Sequence, residues 1–162
     1  MADEAREPAA RAIDTGDGSD PGSGLVKLAI GGTAAIVVTS AAAAAAPETF
    51  GPVHAVLSVV LFVVGTGAML GAYALGVARS RTELVGIPGL FLLADDVAPP
   101  AIRRVLRGAT VVQVVAAVAA ASIRPYTEVA FGILAPMFGL GLMGLWAGRY
   151  GTFPPRRLEP EE

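Results

Sequence analysis

Apolar residues in this chain fall into four long runs joined by short polar stretches. The last run, 129–148 (VAFGILAPMFGLGLMGLWAG), is the clearest: twenty residues without a charge, preceded by Glu128 and closed by Arg149. At a helical rise of about 1.5 Å per residue, about 20 residues cross a hydrocarbon core of about 30 Å. Runs at 25–46, 53–78 and 101–123 match it in length and apolarity. The pattern predicts an all-α protein, a four-transmembrane-helix bundle. Pro47 ends the first run, and 47–52 (PETFGP) reads as a tight turn that makes spans one and two antiparallel neighbours. Residues 124–127 read as a second tight turn, with Thr127 as the N-cap of span four.

Between spans two and three lies a fifth apolar run, 84–93 (LVGIPGLFLL), broken by Gly86, Pro88 and Gly89. It is too short to span and is predicted to lie in the membrane interface on the cytoplasmic side. Ser80 and Glu83 have the spacing of a capping box ahead of it. Asp95 and Asp96 then turn the chain back to water, and Pro99-Pro100 suit the first turn of span three. Residues 1–24 are acidic and rich in Pro, Gly and Ser, with too little to bury for folding, and read as a disordered cytoplasmic tail. Residues 149–162 read as a polar, irregular cytoplasmic tail. A cleaved secretory signal is the rival reading of the N-terminus, because the small residues at 41–46 would suit a cleavage site. The long leader, with six acids against Arg6 and Arg11, argues against it.

Composition agrees with the runs: 54% hydrophobic and 16% charged residues, with a mean hydropathy of +0.62, suit a membrane protein rather than a soluble domain. The absence of cysteine excludes disulfides and thiolate chemistry, and a single histidine, His54, excludes a multi-histidine metal site or bis-histidine haem within the chain. A net charge of −2 is less informative than where the charges lie. Eleven of the twelve basic residues fall on the side shared by the two termini and the middle loop; Arg124 alone falls on the other. Basic residues collect on the cytoplasmic side, so both termini and the middle loop are expected there, in a bacterial cytoplasmic membrane. Trp146, Tyr150 and Phe153 would then line the inner interface, and Phe50 and Tyr126 the outer.

No span carries a charge at its middle, where one costs about 2.5–3.5 kcal/mol and usually marks function. The most polar central residue is Gln113, on one face of span three with Arg103, Arg107, Thr110, Ala117, Ala120 and Arg124. It is read first as an interhelical hydrogen-bonding residue and second as a substrate contact. Gly67 and Gly71 in span two, and Gly144 and Gly148 in span four, have the spacing of close helix packing, within the bundle or between copies. Pro136 removes an amide donor and predicts a kink, with gating as the rival use. His54, near Glu48, Arg124 and Glu128, reads as a wet interfacial residue, or else as a metal or pH site. Asp95 and Asp96 with Arg103, Arg104 and Arg107 are a candidate headgroup contact; the simpler reading is turn acids followed by topological arginines. There is no Ser-His-Asp arrangement, HExxH or phosphate loop, and no basic patch with interleaved aromatics, so no cofactor, metal or nucleic acid is expected.

The segments RSRTE (79–83), FGILAPMFGLGLMGLW (131–146) and GTFPPR (151–156) resemble those of small four-span actinobacterial membrane proteins of unassigned function. The resemblance covers the second half of the chain, implies the fold and supplies no catalytic or binding residue. Four-helix drug/proton antiporters are similar in span count only: they depend on a carboxylate within the first span, and 25–46 has none. The function expected is therefore that of a non-enzymatic accessory or scaffolding subunit, whose partners are the lipid bilayer and other membrane proteins or itself. A small transporter or channel acting as a homo-oligomer, with Gln113 and Pro136 lining its path, is the alternative. A lipid-directed enzyme using Asp95, Asp96 and Arg103 is the third.

Overall fold

The computed structural model describes residues 22–123 and 125–156; what is expected above of residues 1–21, Arg124 and 157–162 lies outside them. The fold is all-α, as the hydropathy predicts. Five α-helices, α1 (Ser23–Ala45), α2 (Pro47–Arg79), α3 (Ile87–Leu92), α4 (Pro100–Ile123) and α5 (Pro136–Tyr150), are joined by a 3₁₀ segment, Glu128–Leu134, that leads into α5. α1, α2, α4 and the 3₁₀–α5 unit are each long and apolar enough to cross a membrane. Valines 53, 56, 60, 63 and 64 of α2 and 111, 115 and 118 of α4 face outward and exposed. A band of that kind belongs in lipid, where backbone polar groups must be satisfied within each helix.

The fourth span is the centre of the bundle: 56% of its most apolar window is buried, against 22% for α1 and α2 and 28% for α4. α5 packs along α2, α1 packs along α4, and the 3₁₀ segment wedges between α2 and α4. Residues Ala29, Thr33, Ile36, Ser40 and Ala43 form the buried seam of α1, at alternating spacings of four and three. α2 buries Gly51, Ser58, Gly65 and Ala72, each seven residues from the last, with His54 and Leu61 beside them. Such a repeat keeps one stripe of a helix against its neighbour, and small residues on it let the backbones close in.

Three expectations are corrected. The supposed turn 47–52 is helical, so that Ala46 alone separates α1 from α2. Proline is at home at the start of a helix, where the amide has no partner in any case. It also restricts the residue before it, which ends α1. Span four is not one kinked helix: Pro136 begins α5, and the preceding seven residues wind as a 3₁₀ helix, an unusually long stretch of that type. Its i→i+3 bonds reach the junction, with Ala135 N donating to the Gly132 carbonyl and Phe138 N to that of Ala135, both at 3.0 Å. The Ser80–Glu83 capping box does not form. Ser80 is the C-cap of α2 and donates to the Val77 carbonyl, while Glu83 turns back to Arg79.

The interfacial segment is also more embedded than its composition implies. α3 docks on the bundle by driving Leu90 into the gap left by Gly76 and Phe91 into that left by Gly144, where a Cβ would lie 2.8 and 2.7 Å from those side chains. Leu84, Ile87 and Leu92 remain exposed. The C-terminal stretch is irregular yet fixed: Leu84 N donates to Pro154 O, Arg156 N to Thr82 O and Thr152 N to Val97 O.

Candidate functional site

Three polar layers interrupt the apolar interior. The middle one holds Gln113, which is fully buried and donates from Nε2 to Thr33 Oγ1 at 2.7 Å. Thr33 in turn donates to the Ala29 carbonyl, and Thr110 to that of Leu106. The amide therefore ties α4 to α1, and Gly139 brings α5 directly against it: a Cβ at 139 would collide with Thr110 Oγ1 and lie 3.0 Å from Gln113 Oε1. Oε1 meets no donor. The layer follows from the α4 pattern, since Leu106, Thr110, Gln113, Ala117 and Ala120 share one buried face.

A second layer lies nearer the α1–α2 junction. His54, expected to be wet, is fully buried. Because α2 starts at Pro47 rather than 53, the imidazole sits two turns inside the helix. Its Nδ1 lies 3.2 Å from Thr39 Oγ1, and its Nε2 points at Gly132, where a Cβ would stand only 2.6 Å away. Ser58 donates to the His54 carbonyl at 2.7 Å. Above this layer, toward the junction, Glu128 lies against Gly51 at the edge of an open cavity of about 530 Å³.

The third layer closes the opposite end, where α1 begins and α2 and α5 end. Arg79 donates to both Glu83 oxygens (2.8 and 3.1 Å), to Gly151 O at 2.9 Å and to Gly148 O at 3.2 Å, and lies over the Phe153 ring at 5.0 Å. The acid–arginine group next to it is dispersed. Asp96 reaches Arg103 at 3.5 Å while fully exposed; Arg104 bonds the Pro100 carbonyl of its own helix. Arg107 caps α3 through the Leu92 and Leu93 carbonyls at 2.6 and 3.0 Å. Asp95 is exposed in a left-handed turn, φ 51°. Beside this group a cavity of about 690 Å³ opens between Val97, Ile102, Trp146 and Tyr150, with Asp96 and Thr152 at its rim. Trp146 is buried there rather than facing the interface, because Gly22 lies directly against its indole.

The packing glycines divide unevenly. Gly144 and Gly148 lie in the bundle, against Phe91 and Ala72 and against Leu75. Gly67 faces outward with nothing within 4 Å of a Cβ, and Gly71 approaches only Leu145, at 3.9 Å. The tightest contact is one that spacing alone does not indicate, Gly65 of α2 on Gly141 of α5. The seven-residue repeat of small residues through Gly65 is the signal that identifies it.

No family model, no curated protein and no solved structure matches this chain.

Proposed function

We propose that this α-helical membrane protein is a non-enzymatic accessory or scaffolding subunit of the cytoplasmic membrane, with both termini in the cytoplasm. The observation that supports it is the outer face of α2, where Gly67 lies open and Gly71 half-buried among exposed Val60, Val63, Val64 and Leu70. Lipid gains little from bare backbone, whereas a second transmembrane helix can approach it closely and gain dispersion contact and weak hydrogen bonds. The partner is accordingly a membrane helix with small residues of its own. Purification in mild detergent with crosslinking and mass spectrometry is expected to recover one membrane partner or a second copy. Gly67→Leu combined with Gly71→Leu should lose it while the isolated chain unfolds as before. A chain that stays solitary under every mild condition overturns the reading.

A second reading, a small transporter or channel acting as a homo-oligomer, draws on the unpartnered Gln113 Oε1 at the bundle centre. Buried acceptors of that kind usually face water or a ligand. Gln113→Leu is expected to lower stability by only about 0.6 kcal/mol, because Thr33 keeps its bond to Ala29. The same variant should abolish flux in vesicles if the amide lines a path; unchanged flux disposes of this reading.

A further inference from the structure

We infer that His54 is a proton-binding site inside the bundle, loaded from the cavity at the α1–α2 junction through Glu128. The inference does not depend on the scaffolding reading.

Its first support is the hydrogen-bond pattern. The Thr39 hydroxyl has one proton and gives it to the Ala35 carbonyl at 2.8 Å. Toward the imidazole, 3.2 Å away, Thr39 therefore accepts, and Nδ1 is the protonated nitrogen. The Nε2 lone pair is then free. It is buried and makes no hydrogen bond of full geometry, and the polar group that faces the ring from the 3₁₀ segment is the Val129 backbone, which a proton on Nε2 would reach. A base left open in an apolar interior is a reason to look for what it binds.

The second support is access. Gly51 lies one turn before His54 on the same buried face of α2. A Cβ at Gly51 would stand 3.5 Å from Glu128 Oε2, so the carboxylate hangs over the turn that covers the imidazole. Glu48, Gly51, Glu128 and Val129 all line the open cavity of about 530 Å³, and Val129 also flanks the ring. A proton arriving on Glu128 passes to Nε2, leaving the carboxylate over Gly51 and an imidazolium one helical turn further along α2. The new N–H faces the Val129 backbone and the old one stays on Thr39. A negative charge one turn away limits the penalty of a lone cation in the membrane.

The titratable groups around the imidazole are few among the described residues. Glu48 on its own helix and Glu128 on the 3₁₀ segment line the cavity, with Tyr126. α1 offers Thr39, and α4 approaches this layer with Ala117.

His54 is the only histidine in the chain, so ¹⁵N-histidine labelling gives one imidazole to observe. In lipid nanodiscs the ring nitrogens are expected to show the Nδ1–H neutral tautomer at about pH 8 and the imidazolium at about pH 5, the range in which histidine serves as a switch. Glu128→Gln should lower the imidazolium population several-fold at a fixed pH. In sealed vesicles the signal should follow the pH on the side of the α1–α2 junction. An imidazole that stays neutral throughout while the bundle remains folded overturns the site. A titration identical in Glu128→Gln, or one that follows the opposite side, overturns the route.

Discussion

Gly141→Leu is expected to abolish the assembled bundle. A Cβ at 141 would collide with the Gly65 carbonyl oxygen and lie 2.9 and 3.0 Å from its carbon and Cα. In the reverse direction, a Cβ at 65 would meet Phe138 N and Cα at 2.5 Å. Both obstacles are main chain, so no rotamer change relieves them, and α2 and α5 must separate. Because α5 is the element around which the others pack, that separation propagates to α1, α3 and α4. Even Gly141→Ala should lower stability by roughly 3 kcal/mol, the upper end of overpacking penalties. Gly67→Ala, on open surface, should change it by less than about 0.5 kcal/mol. Reversible unfolding in mixed micelles separates the two; equal stabilities would refute the α2–α5 contact.

Arg79→Ala should release the end of the bundle where α2 and α5 finish. One guanidinium there satisfies Glu83, the last carbonyls of α5 and the Phe153 ring together. A planar fork of five donors suits this task, and a cation at a helix C-terminus also meets a favourable dipole. The side chain is 26% exposed, so partial screening holds the expected loss to roughly 2 kcal/mol. The effect should be local. The amides of Leu84, Thr152 and Arg156, which tie the C-terminal stretch to the α2–α3 loop and Val97, should exchange with solvent faster, as read by hydrogen-exchange mass spectrometry. Arg79→Lys should not restore them, because an ammonium cannot present that fork. Unchanged exchange in Arg79→Ala would rule out the guanidinium as the fastener.

The four spans are legible from hydropathy because lipid imposes a single demand, that each crossing segment satisfy its own backbone. Rotation about each helix axis is not legible in the same way. Mean hydropathy is indifferent to where a glycine points, and the Gly67–Gly71 spacing marks a pair that faces outward while Gly65, two residues earlier, makes the contact. The repeat through Gly51, Ser58, Gly65 and Ala72 contains that information, but it is written in small residues, which a search for apolar runs does not weigh. His54 is misplaced by the same reasoning that misplaces Pro47: proline is read as a stop where it is a start, and everything after it shifts inward. Glu83 shows a further limit. Its local spacing favours Ser80, yet Arg79 offers a charged bidentate partner on the same turn and takes it.

The junction at Ala46 bears on how the chain enters its membrane. The last five residues of α1 are all alanine, whose single methyl has little surface to hide from water. α2 follows after one residue and is the more apolar of the two, with a mean hydropathy of 2.2 against 1.8. As the nascent chain emerges, the alanine end of the first rod is therefore expected to hold less firmly in lipid than the more apolar second rod. Their single-residue junction then favours insertion of the two as one hairpin.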